Sequence, residues 1–202
     1  MIREVGGPGW PRPHRVKYTR VRRRAVNGLE LYLGGARSGK SALAERQALA
    51  SGLQPVYVAT AEAGDEEMAA RIDHHRRRRD AGWQTVEEPL ALADCLTRLA
   101  RPDRQLVVDC LTLWATNLLL AGESHWQRER QALLDCLGGL AGPVLLVSNE
   151  VGQGVVPADP LSRRFVDEMG RLHQALARRC GRVVWVVAGL PQVVKGPALQ
   201  AM

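Results

Sequence analysis

No apolar run in this chain approaches the roughly 20 residues needed to cross a bilayer, and the charged N-terminus is followed by no apolar stretch of the kind that heads a secretory signal. Membrane insertion and export are disfavoured, and a cytoplasmic location is expected. Cysteine is scarce and unpaired in the sequence: Cys95, Cys110, Cys136 and Cys180 form no CxxC, which fits neither a zinc site nor a disulfide framework. They are expected as small core residues in a reducing compartment. Internal repeats are missing as well. At 202 residues, 46% hydrophobic and 24% charged, the chain can bury one full core and is too short for two large ones.

The formal net charge of +7 raises the question of nucleic acid, and its distribution answers most of it. Residues 1–28 hold eight Arg or Lys and one Glu, leaving 20 basic and 20 acidic side chains in the rest of the chain. The body is therefore balanced, and no nucleic-acid partner is expected for it. The first 28 residues carry three prolines and several glycines without helical or strand periodicity, so they are expected to be a basic, flexible extension. Residues 29–202 are expected to form one catalytic domain.

From residue 29 on, short apolar runs alternate with longer helical stretches, the pattern of an α/β domain with a mostly parallel sheet flanked by helices. Five strands are predicted, at 29–33, 55–60, 105–110, 144–149 and 182–188, each rich in Val or Leu as strands buried on both faces require. Helices are predicted at 40–51, 65–79, 90–101, 124–138 and 160–180. Ligands of open α/β sheets bind beyond the carboxyl ends of the strands. Those ends read GGARSGKS, ATAEAGDEE, DCLTLWATN, NEVGQGVVP and GLPQVVK, five polar and glycine-bearing clusters that suggest one shared site.

The first cluster is the most specific. Gly34, Gly35, Ala36, Arg37, Ser38, Gly39, Lys40 and Ser41 match GxxxxGK[ST] between an apolar strand and a helix-prone run. In such a loop successive backbone N–H groups point inward at a helix N-terminus and form an anion cradle. Lys40 is placed to reach the β and γ phosphates. The Ser41 hydroxyl is placed to ligate Mg²⁺, with Asp109, ending the strand QLVVDC, as its Walker B partner. The loop does not choose among kinases, ATPases and GTPase switches. A guanine-reading NKxD is absent, and DEMG at 167–170 falls inside a helical pattern, so a regulatory GTPase is disfavoured.

The segment DEEMAARIDHHRRRRD opens with acids and closes with four arginines, matching a helix whose dipole is complemented at both ends. At about 100° per residue, Met68, Ile72 and His75 share one face and His74 points away from it. A neutral imidazole can attack phosphorus and form a phosphoramidate. Arg76, Arg77, Arg78 and Arg79 would disfavour its protonation and balance a departing pyrophosphate. On the residues alone, a histidine here is more often structural or solvated, and a run of four arginines is usually a solvated face.

Taken in order, GGARSGKS, VYVATAEAGDEEMAARIDHHRRRR, GWQTVEEP, VVDCLTLWATNLL, SNEVGQGVVP and VVAGLPQVVKG resemble the bifunctional adenosylcobinamide kinase and adenosylcobinamide-phosphate guanylyltransferase family of cobalamin biosynthesis, over about residues 29–196. The resemblance implies a RecA-like P-loop NTPase fold, a homotrimer, and two reactions. ATP or GTP phosphorylates the aminopropanol hydroxyl of adenosylcobinamide. GTP then gives GMP to an enzyme histidine, and adenosylcobinamide phosphate takes it up. The family pattern RIxxH falls on His75. Further nucleotide contacts map to Ala59, Thr60 and Ala61, to the four arginines 76–79, to Glu87 with Glu88 as a conceivable substitute, and to Asp109. Asn149 and Glu150 are expected near phosphates or substrate, with no chemical role assigned. Two departures stand out: His173 occupies the place of the asparagine in the family's GRLNQ, and the basic arm precedes the usual start. A kinase for another small alcohol, and a nucleic-acid-binding NTPase using the arm, are the competing readings.

Overall fold

The computed structural model describes residues 26–61 and 82–199, with only the backbone described at Val26 and Asn27. The element order is β1 (Val26–Gly34), α1 (Lys40–Ala50), β2 (Gln54–Ala59), β3 (Gln84–Glu87), α2 (Leu92–Leu99), β4 (Arg104–Asp109), α3 (Leu111–Ala121), α4 (Glu123–Cys136) with a 3-10 turn at Leu137–Gly139, β5 (Val144–Asn149), α5 (Pro160–Arg179), β6 (Cys180–Val187) and β7 (Leu190–Lys195). The seven strands form one sheet in the order β3-β2-β4-β5-β1-β6-β7. Every pairing is parallel except β6 with β7.

Alternation along the central strands splits the core into two layers, because successive side chains of a strand point to opposite faces. Leu29, Leu31, Val56, Val58, Leu106, Val108, Val144 and Leu146 face α2, α3, α4 and α5 in the larger layer. Tyr32, Tyr57, Val107, Leu145 and Val147 face Leu43, Ala44 and Ala48 of α1 in the smaller one. With both faces covered, β5 is buried over Val144–Ser148 and reads as a continuous apolar run rather than an alternating one.

The five predicted strands and four of the predicted helices are present with ends shifted by at most three residues; the predicted helix at 65–79 lies outside the described residues. Three elements went unpredicted. β3 is a four-residue edge strand with mostly exposed side chains, too short and polar to give a signal. The segment LTLWATNLLLA of α3 is apolar nearly all round, so it carries no helical periodicity and merges in sequence with the end of β4. β7 is the third: instead of joining the loop cluster expected at the sheet's carboxyl edge, residues 190–195 turn back antiparallel along β6. The shared-site expectation is corrected there, since Lys195 ends at the far side of the sheet, donating to the Ala177 and Cys180 carbonyls at 2.7 and 2.6 Å.

The long helix α5 shows why this sequence starts and stops where it does. Asp159 accepts from Ser162 N at 2.8 Å as N-cap, Pro160 stands in the first turn, and Arg178 and Arg179 meet the negative end of the dipole. Met169, Leu172, Leu176 and His173 form its buried face. Three cysteines are buried core residues and Cys136 is half-buried; all four are free thiols, and burial pushes Cys110 up to about 11.

Candidate active site

β1 ends at Gly34 and the chain then closes a compact loop before α1 begins at Lys40. Gly34 has no room for a side chain: an added Cβ would stand 2.5 Å from both Ser38 Oγ and the Val186 carbonyl of β6. Arg37 and Gly39 take positive φ, 57° and 93°, which turns the loop back on itself. Ser38 N donates to Gly35 O at 3.2 Å, and Gly189 N from the β6–β7 turn donates to Ser38 O at 2.8 Å, pinning the loop from outside. Gly35, Ala36, Arg37 and Gly39 are exposed, whereas Ser38 and Lys40 are buried and Ser41 is half-buried.

Lys40 Nζ reaches back across the loop to the Gly35 carbonyl at 3.1 Å. Burial pulls its ammonium below the ordinary lysine range, and the carboxylate of Asp109 works in the opposite direction. Among the described residues the site thus holds a largely desolvated cation close to a carboxylate with one hydrogen bond, an arrangement that an incoming phosphate would complete. Ser38 Oγ, buried without a hydrogen-bond partner among the described residues, is a second polar atom in the same loop.

Asp109 stands at the end of β4, one strand removed from β1 because β5 lies between them. Its Oδ2 accepts from Tyr57 OH at 2.9 Å. The hydroxyl and carboxylate oxygens of Ser41 and Asp109 are hard donors of the kind that suits Mg²⁺.

At the end of β2 the predicted contacts Ala59, Thr60 and Ala61 are tied to their neighbours. Ala59 O accepts from Glu88 N at 2.8 Å, and Thr60 O from Asn117 Nδ2 at 2.9 Å. The Thr60 side chain, 0% exposed, donates to Cys110 O at 2.7 Å and accepts from Cys110 N at 2.9 Å. Glu87 is exposed at the end of β3. Glu88 turns the other way, its Oε1 accepting from Leu90 N and Ala91 N at 3.2 and 2.7 Å at the start of α2. His75, Arg76, Arg77, Arg78 and Arg79 lie outside the described residues.

Two further features lie beside the loop. A cavity of about 440 Å³ opens beside the loop, walled by residues 35–38, by Glu150 and Gln153, and by residues 185–188 at the end of β6. Behind it runs a buried polar chain. Asn149 N donates to Thr112 Oγ1 at 2.7 Å, Thr112 Oγ1 lies 3.3 Å from Ser148 Oγ, and Ser148 Oγ lies 2.8 Å from His173 Nε2. The imidazole's other nitrogen, Nδ1, is 3.9 Å from Glu150 Oε2. Only β4–α3, β5 and α5 folded together bring these residues to one place. In the sequence, Asn149 and Glu150 are expected near the phosphates from the family resemblance, and His173 stands out as a departure from it, whereas Thr112 and Ser148 carry no signal.

A glycine-lined loop between a parallel strand and a helix, a buried lysine across it, and an acidic strand end two positions away in the sheet define a P-loop NTPase built on a mostly parallel sheet. The chain belongs to the cobinamide kinase / cobinamide phosphate guanyltransferase family, whose model matches residues 30–194. It is 61% identical over 171 residues to the bifunctional adenosylcobalamin biosynthesis protein CobP of Pseudomonas aeruginosa, covering 84% of this chain and 99% of that one. It is 37% identical to CobU of Escherichia coli and 39% identical to CobU of Salmonella typhimurium, each a bifunctional adenosylcobalamin biosynthesis protein, over 82% of this chain and 98% of theirs. Similar solved structures include the RadB recombinase (17% identity, TM-score 0.46, 78% of this chain and 73% of that one) and the flagellar accessory protein FlaH from Methanocaldococcus jannaschii (10%, 0.46, 84% and 78%). Among the described residues no helix is long and apolar enough to cross a membrane.

Proposed function

We propose that this enzyme catalyses both transfers of its family on one nucleotide site. In the first, the aminopropanol hydroxyl of adenosylcobinamide attacks the γ-phosphorus of ATP or GTP, the bond to the β-phosphate oxygen breaks, and the nucleoside diphosphate leaves. In the second, a ring nitrogen of His75 attacks the α-phosphorus of GTP and pyrophosphate departs. The phosphate of adenosylcobinamide phosphate then displaces the histidine to give adenosylcobinamide-GDP. The observation that carries the reading is the loop of residues 34–41 with Lys40 held buried across it, in a chain whose family performs these two transfers.

The groups of the site take distinct roles. The N–H groups of the loop and the Lys40 ammonium bind the β and γ phosphates, where a desolvated charge acts more strongly than in water. Ser41 and Asp109 would hold Mg²⁺, whose charge neutralises the phosphate oxygens, and Tyr57 fixes one oxygen of Asp109. Arg76, Arg77, Arg78 and Arg79 balance the departing pyrophosphate. Backbone groups of Ala59, Thr60 and Ala61 flank the nucleotide, and Glu87 reads the guanine edge. The enzyme works as a homotrimer in the cytoplasm, with a basic arm preceding a catalytic body whose first strand opens at Val26 rather than at residue 29.

Incubation with Mg²⁺ and α-labelled GTP tests the covalent step. Protein-bound label that survives alkali, is lost in acid and is missing in His75→Ala is the expected result. Label retained in His75→Ala and lost in His74→Ala would move the nucleophile by one residue, and absence of label in the wild type would refute the histidine–GMP step.

A further inference from the structure

The polar chain behind the cavity is costly to bury. Thr112, Ser148 and His173 are 7%, 0% and 6% exposed; Thr112 holds the Asn149 N–H, while Ser148 and His173 hold each other between β5 and α5. What the chain does touch is Glu150. That residue's backbone N–H donates to Gly34 O at 3.0 Å, so its position is locked to the first residue of the phosphate loop. Its Oε1 accepts from Gly152 N at 2.7 Å, leaving Oε2 as the oxygen nearest His173, and the side chain lines the same cavity as residues 35–38.

We infer that Glu150 is the base that takes the proton from the acceptor hydroxyl in phosphoryl transfer, and that His173, backed by Ser148 and Thr112, is the positioning residue that orients it. As the hydroxyl oxygen bonds to the γ-phosphorus, its proton passes to Glu150 Oε2 and the bond to the β-phosphate oxygen breaks. The hydrogen-bond chain runs in a direction that suits this. With Asn149 N donating to Thr112 Oγ1, the Thr112 hydroxyl can donate to Ser148 and the Ser148 hydroxyl to His173 Nε2. The imidazole proton then sits on Nδ1, the nitrogen that faces the Glu150 carboxylate. Burial favours the neutral ring this requires, although Glu150 opposes it. Strand β5, inserted between the loop strand and the Asp109 strand, is the element that delivers a base beside the phosphate loop.

This assignment rests on the two-reaction reading above, and the two can fail separately. The full-length chain, the Glu150→Gln variant, His173→Asn and His173→Leu are assayed with adenosylcobinamide and γ-labelled ATP, and in parallel with α-labelled GTP alone. Glu150→Gln keeps the acceptor for Gly152 N but is not basic. Its kcat for phosphoryl transfer is expected to fall about 100-fold or more, with the KM for nucleotide within about threefold. Label from α-labelled GTP on His75 should persist, because imidazole attack needs no hydroxyl deprotonated. His173→Asn places an amide N–H where Nδ1–H was and should retain kcat to within about fivefold, whereas His173→Leu should lose about tenfold or more with KM unmoved. Glu150→Gln as active as the wild type overturns the assignment alone. Equal loss of phosphoryl transfer, nucleotide binding and guanylyl labelling makes Glu150 a loop anchor and overturns it too, as does His173→Leu matching His173→Asn. A wild type that phosphorylates no adenosylcobinamide brings down both readings.

Discussion

Thr60 was expected from the family resemblance to touch nucleotide, and its hydroxyl proton is already committed to the Cys110 carbonyl, so replacing it separates a structural hydroxyl from a binding one. Thr60→Val keeps the shape of the side chain and deletes both bonds to Cys110. The Cys110 carbonyl still accepts from Trp114 N at 3.2 Å, so losing the Thr60 bond there costs about 1 kcal/mol. The Cys110 N–H has Thr60 Oγ1 as its acceptor and is left buried without it, costing a further ~1–3 kcal/mol. A total of about 2–4 kcal/mol follows. In a chain of this length that lowers Tm by roughly 4–15 °C. Thr60→Ser keeps the oxygen and loses one methyl, about 0.8 kcal/mol. Urea unfolding of the three proteins followed by tryptophan fluorescence, with nucleotide titrations on the folded proteins, measures both quantities. A Thr60→Val protein within about 0.5 kcal/mol of wild type, or one whose only defect is in nucleotide affinity, would refute the reasoning.

Lys40→Met should reduce nucleotide turnover by about 100-fold or more and leave the ligand-free protein equally stable or more stable, since a buried charge with one carbonyl partner is replaced by an apolar chain of similar length; urea unfolding without nucleotide that shows a marked loss would contradict this. Gly34→Ala brings a Cβ against the Val186 carbonyl, a backbone atom fixed in the β1–β6 ladder, so it should cost about 1–3 kcal/mol and weaken nucleotide binding, read by thermal unfolding and calorimetric titration. The depressed His173 pKa sets a pH dependence: the unfolded chain binds the proton more readily than the folded one, so this contribution to stability is complete above pH ~6.5 and declines as pH falls through that value. The stability gap between wild type and His173→Asn should therefore narrow between about pH 7 and 5, and a gap that widens would show that the folded state favours the charged ring.

Much of the architecture is readable because it rests on local physics. Val- and Leu-rich runs buried on both faces announce the parallel strands, Asp159 and Pro160 announce the start of α5, and the glycines of residues 34–41 announce the phosphate loop, since each need is met by residues adjacent in the chain. The elements that escaped lack such a signal. β3 is too short and polar, α3 is too evenly apolar to show a period, and β7 takes its place only by pairing with β6.

The site divides in the same way. Lys40 and Asp109 could be named from motif and strand end, and the family resemblance extended the set to Glu87 and to His75. What the sequence by itself determined is therefore the nucleotide chemistry and the layered frame that carries it. Only the tertiary structure decided that Thr60 braces Cys110, that Tyr57 holds Asp109, that Glu88 turns to α2, and that Thr112, Ser148 and His173 line up behind Glu150. These hydrogen-bonded partners lie up to 52 positions apart, as between Tyr57 and Asp109, and bonds across such spans depend on strand order and helix packing, which no local pattern of residues encodes.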